Sequence, residues 1–172
     1  MGRPKQLLQF EGQTFLDSLI ERFEGICAPI IVVLGYAADE VRAGIACGAQ
    51  VEIVVNPAPE RGMLSSLQCG LARVPHDALF TPVDLPGISR ETIERLAAAD
   101  GPVVIPTFGG RKGHPVRVSH DVIAELLALP VDAQARDAIR RHDPQLIAVD
   151  DARILHDVDT PTDYYALLAG AL

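Results

Sequence analysis

The chain has 172 residues, 48% of them hydrophobic and 22% charged, which suits one compact domain with a real core and excludes an intrinsically disordered chain. A formal net charge of -8 excludes broad binding along a nucleic-acid backbone and leaves a small anionic ligand only in a cleft that is locally basic or neutralised by a metal. No apolar run approaches the ~20 residues of a membrane helix, and the opening MGRPKQLLQF has no apolar signal-peptide core, so a cytoplasmic protein with neither membrane nor nucleic-acid contact is expected.

The elements follow in chain order. Apolar residues at 15, 16, 19, 20 and 23 recur at helical spacing, and Thr14 stands where a cap is needed. IIVVL (30–34) is a β-branched run that reads as a buried strand ended by Gly35, and residues 37–46 read as a helix. VEIVV (51–55) is a second buried strand, and MLSSLQCGLARV (63–74) a helix opening just past Gly62. DALFTPV (77–83) reads as a third strand that delivers Asp84 to its end. A helix over 90–99 capped by Ser89, a strand PVVIP (102–106), a loop TFGGRKGH, a strand PVRV (115–118) and a helix over 120–129 capped by Ser119 follow. Residues 134–141 read as a helix, LIAV (146–149) as a short strand and 162–169 as a terminal helix.

Strands alternating with helices predict an α/β, Rossmann-like three-layer αβα sandwich around a mostly parallel sheet. Ligands in such sheets sit beyond the carboxyl ends of the strands, which selects residues 56–66, 81–87, 106–115 and 156–161. These segments are also rich in Gly, Pro and polar residues.

Each segment offers chemistry beside a plainer alternative. Asp84, in TPVDLPG, is placed either to hold a hard cation such as Mg2+ or to cap the turn before Pro86-Gly87. Asp157 and Asp159, in HDVDTPTD, share one face of an extended segment and are a second carboxylate source, with Thr160 capping the last helix. Lys5 is a phosphate-neutralising cation or a solvated surface lysine. Gly62, Ser65 and Ser66 bring amides and hydroxyls to a helix start, an anion-binding arrangement, or are ordinary early-helix residues. GGRKGHPV (109–116) joins three glycines to Arg111, Lys112 and His114; it is a ligand loop or an exposed turn. Cys27, Cys47 and Cys69 are scattered and odd in number, which fits apolar packing in a reducing compartment and not a disulfide framework or a CxxC metal site. His76, His120, His142 and His156 lack metal-ligand spacing and read as surface or packing residues. There is no GxGxxG after a strand, Walker A, HExxH or GxSxG, against dehydrogenases, P-loop enzymes, zincins and α/β-hydrolases.

The order GRPKQLL, NPAPERGMLSSL, TPVDLP, GHPV and DVDTPTDY resembles the MobA-like nucleotidyltransferase domain over essentially the whole chain, and most resembles its molybdenum-cofactor cytidylyltransferase (MocA-type) branch. The resemblance implies a single domain over 1–172 that moves a nucleoside monophosphate, CMP from CTP being favoured, onto a molybdopterin-type acceptor with release of pyrophosphate. It implies Mg2+ as cofactor and a molybdoenzyme as a client. It assigns Lys5 to phosphate, Asp84 and Asp159 to the metal with Asp157 as the alternative second carboxylate, Asn56, Gly62, Ser65 and Ser66 to the nucleotide or cofactor pocket, and Gly113 and His114 to the acceptor. A guanylyltransferase, a transferase for another phosphorylated acceptor and a non-catalytic cofactor-binding module are the rival readings. The family's opening motif resembles LAAGxSxRMGxPKxLL, and this chain begins at its MG. The apolar strand, the glycine loop and the arginine before that point are not in these residues, so the domain is expected to be N-terminally incomplete, to bind nucleoside triphosphate weakly, and to leave strand edges open. Those edges are expected to be met by a shifted strand order, by pairing of residues 6–10 or by dimerisation, and an in-frame strand and glycine loop encoded upstream of Met1 is the matching expectation at the DNA level.

Overall fold

The computed structural model describes residues 2–46, 51–130 and 132–170; Cys47 lies outside them. A one-turn 3-10 helix over Lys5–Leu7 leads into a short antiparallel hairpin, β1 (Gln9–Phe10) and β2 (Gln13–Thr14), turned through Glu11 and Gly12. Then come α1 (Phe15–Phe23), β3 (Ile30–Leu34), α2 (Ala38–Gly44), β4 (Val51–Val55), α3 (Met63–Leu71), β5 (Ala78–Phe80), α4 (Arg90–Ala97), β6 (Val103–Phe108), β7 (Arg111–Lys112), β8 (Val116–Val118), α5 (His120–Ala128), α6 (Ala135–Arg140), β9 (Gln145–Ala148) and α7 (Pro161–Leu168).

β3 and β4 pair in parallel, Ile30 against Val51 through Leu34 against Val55. β5, β8, β6 and β7 form a second sheet in that order, with β9 parallel to β6. β8 is antiparallel to both β5 and β6; β5, β6 and β9 therefore run one way. Leu79 packs with Leu19 and Phe23 of α1 and Ile93 of α4, while its neighbours Ala78 and Phe80 pack with the α3, α5 and α6 residues Leu71, Val122, Ile123, Leu126 and Ile139. Side chains alternate across a strand, so helices cover both faces and the expected layered α/β, Rossmann-like fold is present.

Besides the β1–β2 hairpin, which the sequence reading did not include, three features differ from it, each for a physical reason. The third strand is shorter than 77–83, because β8 offers only Val116–Val118 to pair with it and Pro82 has no N–H to donate; residues 81–83 carry the chain on to Asp84. The loop after 106 is instead a continuation of β6 into a hairpin with β7, turned through Gly109 and Gly110, both at positive φ (55 and 77), where side chains are disfavoured. Ser119 makes no side-chain cap on α5; Asp77 Oδ1 accepts from His120 N at 2.9 Å instead. The caps read at Thr14, Ser89 and Thr160 are formed, accepting from Asp17 N, Thr92 N and Asp163 N.

One buried carboxylate ties the C-terminal segment to α4. Asp151 is 7% exposed and accepts from Ser89 N (2.8 Å), Thr92 Oγ1 (2.9 Å) and Arg153 N (3.2 Å). Its replacement orphans three donors in a poorly solvated place, where unmet hydrogen bonds to a charged group cost most. Asp151→Ala should lower unfolding stability by about 3 kcal/mol, measured by urea titration; a loss under ~1 kcal/mol contradicts the role.

Candidate functional site

Three segments converge beyond the carboxyl ends of the strands. The 3-10 turn at the chain start is anchored by Leu7, which is buried with Leu16, Ile20, Leu34 and Val41, and this holds Lys5 over the loop that follows β5. The segment 157–159 runs beside that loop, pinned by Val158 N donating to Asp84 O at 2.9 Å and by the buried Val158 side chain against Phe10, Phe15 and Leu167. Lys5 Nζ forms an ion pair with Asp159 Oδ1 and lies 3.8 Å from Asp84 Oδ2. Both carboxylates thus contact one ammonium, well inside the ~10 Å beyond which a shared Mg2+, with Mg–O bonds of ~2.1 Å, is out of reach.

Burial pushes the Asp84 carboxyl above the ordinary carboxylate range; the Lys5 ammonium opposes this, and Asp157 and then Asp159 add to it. Desolvation therefore outweighs the lysine. Asp84 Oδ1 is buried without a hydrogen-bond partner, which leaves a hard oxygen donor unmet in a place short of positive charge. A divalent cation fits that deficit. Among the described residues no three His, Cys, Asp or Glu side chains group closely enough to hold a metal by themselves, so a cation here would take one or two carboxylates and complete its shell with other oxygens, the pattern of Mg2+ at phosphate sites.

His114 lies near enough to Asp157 and Asp84 to feel their charge. Burial holds its imidazole below the ordinary histidine range, opposed by the Phe80 backbone and by Asp157 and Asp84; it is a neutral ring at pH 7. Its Nδ1 is buried and unpartnered, and its ring meets Phe80 edge-on at 6.2 Å. Gly113 is fixed by space: a Cβ there would lie 2.3 Å from the Ile154 carbonyl oxygen, and His114 N donates to that same carbonyl at 3.2 Å.

Asn56, Gly62, Ser65 and Ser66 form a separate group at the end of β4 and the start of α3. Asn56 is 3% exposed; its Nδ2 donates to both Ser65 Oγ and Ser66 Oγ at 2.9 Å, and its Oδ1 accepts from Ala58 N. Ser65 Oγ in turn reaches the Gly62 carbonyl at 2.8 Å. The amide of Asn56 thus holds the 56–62 loop against the helix, and the start of α3 carries no side-chain cap. Arg111 and Lys112 project, exposed, from the β7 hairpin. His156, read from the sequence as a surface or packing residue, also has a buried, unpartnered Nδ1.

A mixed sheet between helical layers, with a carboxylate pair and a lysine at its carboxyl lip, defines a Rossmann-like α/β protein. The chain belongs to the MobA-like NTP transferase domain family, whose model matches residues 1–146. It is 29% identical over 167 residues to the molybdenum cofactor cytidylyltransferase of Escherichia coli K12, covering 95% of this chain and 86% of that one. It is 28% identical over 177 residues to a probable molybdenum cofactor guanylyltransferase of Rhodopirellula baltica, covering 95% and 83%. Among solved structures it is similar to Rv0371c of Mycobacterium tuberculosis H37Rv in complex with manganese, with 32% identity, a TM-score of 0.80 and coverage of 98% of this chain and 93% of that one.

The raised Asp84 carboxyl fixes the sign of a stability test. The folded state holds that proton more tightly than the unfolded chain, so the associated stability is present below the unfolded value near 3.9 and is lost as pH rises through the raised one. Metal-free Asp84→Asn should melt above the parent protein at pH 7, with the gap closing toward pH 4, while MnCl2 raises the melting temperature of the parent only. Calorimetric scans check this; a lower melting temperature for the variant across the range contradicts it.

Proposed function

We propose that the protein is a divalent-cation-dependent nucleotidyltransferase that moves a nucleoside monophosphate from a nucleoside triphosphate onto a molybdopterin-type acceptor. The observation that carries the reading is the Lys5 ammonium shared between Asp84 and Asp159 beside an unmet, buried Asp84 oxygen. The relatives' activities support the substrate class: cytidylyl transfer in the E. coli protein and probable guanylyl transfer in the R. baltica one. CTP is the favoured donor, because the family match is accompanied by the stronger resemblance to the cytidylyltransferase branch.

In the reaction an acceptor phosphate oxygen bonds to the α-phosphorus, the α–β bridging P–O bond breaks, and pyrophosphate leaves with that oxygen. Such transfers are governed by positioning and by compensation of phosphate charge. Asp84 and Asp159 are the residues that would hold a cation, Mg2+ in this reading, which supplies charge neutralisation and a template for phosphate oxygens. Lys5 balances the carboxylate pair and presents an ammonium toward the phosphates. His114, neutral and fixed by the Gly113 contact, offers a hydrogen bond to the acceptor without adding charge. Asn56 fixes the loop that aims the uncapped amides of Met63 and Leu64 outward as anion donors. A molybdoenzyme client in the cytoplasm completes the proposal; no described helix is long and apolar enough to cross a membrane.

Two measurements test this. At millimolar CTP, pyrophosphate release in the presence of molybdopterin and Mg2+ should fall at least about a hundredfold in Asp84→Ala and in Lys5→Ala. Competing GTP or ATP should suppress it less than unlabelled CTP does; largely intact turnover in Asp84→Ala contradicts the metal role, and preference for GTP the nucleotide choice. Calorimetry should find CTP binding to the 172-residue chain weaker than micromolar. Among the described residues only Lys5 makes ion pairs with these carboxylates, and one ammonium so engaged offsets little of a triphosphate's charge in a chain of net charge -8. Micromolar binding overturns that charge balance.

A further inference from the structure

Among the described residues β3 and β5 are not paired to each other, and residues 6–10 do not bridge the gap between them as expected, since Gln9 and Phe10 pair with Thr14 and Gln13. The gap divides the lip, and Ser66 of α3 and His114 line it from its two sides. On the α3 side the uncapped helix start offers amides to an anion. On the His114 side, Lys5 is already engaged by Asp84 and Asp159, and His114 is held neutral by burial. An acceptor that brings a phosphate to that side needs a positive partner beyond these two.

The β6–β7 hairpin carries two cations past the lip. Its turn residues Gly109 and Gly110 stand clear, with nothing within 4 Å of where a Cβ would lie. Its base is fixed by Gly113 N donating to Pro106 O at 3.0 Å and by His114 N donating to Ile154 O at 3.2 Å. Arg111 and Lys112 are both exposed, and neither forms an ion pair among the described residues. Adjacent in sequence, they are not equivalent in space. The register sets Lys112 opposite Thr107 and Arg111 opposite Phe108, and residues directly opposite share a face of the sheet. Thr107 continues the alternation of Val103 and Ile105, which pack with Leu71 of α3, Val122 of α5 and Ile139 of α6. Lys112 is therefore on the α3 face, and Arg111 is on the face turned to α4. His114 is on the α3 face too: it lies two residues beyond Lys112, and its ring meets Phe80, which packs against the same cluster.

We infer that Lys112 is the residue that recognises the acceptor's phosphate group, and that Arg111 is not. The inference rests on the reading of the chain as a transferase for a phosphorylated acceptor. The Lys112 ammonium shares a face with His114 and has no carboxylate to neutralise it, so it is a point charge free for a phosphate dianion. With His114 bonding the acceptor beside it, Lys112 holds the attacking phosphate oxygen at the gap and offsets part of the repulsion between the two phosphate groups brought together there. Arg111 has the better fork for phosphate, but its place on the other face turns it away from His114.

The test reads binding, without turnover. Dissociation constants of molybdopterin, and of molybdopterin from which the phosphate has been removed, are measured by pterin fluorescence for the parent chain, Lys112→Gln, Lys112→Arg and Arg111→Gln. All four should melt alike, since both side chains are exposed. The parent and Arg111→Gln should hold the phosphorylated form at least about tenfold tighter than the other, the size of one charge-assisted bond. Lys112→Gln should abolish that preference, and Lys112→Arg should keep most of it. No phosphate preference in the parent, a preference that Lys112→Gln leaves intact, or one that Arg111→Gln removes as fully overturns the inference, while the transferase reading stands or falls separately on pyrophosphate release by the parent. A parent that binds neither form overturns both.

Discussion

The arrangement that the rest depends on is one ammonium between two carboxylates at the lip of a sheet. Asp84 is partly buried by its neighbours, and that burial outweighs the attraction of Lys5. The segment carrying Asp159 is fixed by a backbone bond from Val158 to Asp84 and by Val158 in the core, which sets the second carboxylate beside the first. Folding therefore concentrates negative charge and compensates it incompletely. In the proposed function that imbalance is what receives a cation and, through it, phosphate, in a protein whose net charge of -8 otherwise repels anions.

The same lip is the end of the gap in the sheet. Gln6 next to Lys5, Ser66 next to Asn56, and His114 line it. The helical layers do not depend on that gap. Their clusters on either face are closed by α1 with α4 and by α3 with α5 and α6, which accounts for a fold that persists around an open seam.

How much of this was legible in the sequence varied with the kind of signal. Apolar periodicity located α1, and β-branched runs located β3 and β4, nearly to the residue, but the burial expected of β4 is not met: Glu52 and Val55 are exposed and its other residues only half-buried. Capping residues were legible where the side chain bonds its own helix, as at Thr14, Ser89 and Thr160, and misleading at Ser119, where Asp77 from a distant segment does the capping. The Gly109-Gly110 hairpin and the Glu11-Gly12 turn were missed because their strands are two residues long and show no alternation. The closeness of Asp84 and Asp159 followed from placing each segment at a strand's carboxyl end, whereas Lys5 joined them only through the family resemblance. What no local pattern showed is that Asn56, Ser65 and Ser66 bond chiefly to one another, and that Gly113 is required by the Ile154 carbonyl; both are facts of tertiary contact.

The central claim, that the Lys5-bridged carboxylates are the cation site, is most directly tested by titrating Mn2+ into the 15N-labelled chain and reading paramagnetic broadening of its amide resonances. Broadening falls off steeply with distance from the ion, so it locates the ion without any assay of turnover. Signals from residues 83–85 and 157–159 should disappear first, together with Lys5, while those of α5 and α6 persist, and Asp84→Asn should abolish the selectivity. Selective loss of signals elsewhere, or uniform broadening unaffected by that substitution, would contradict the account.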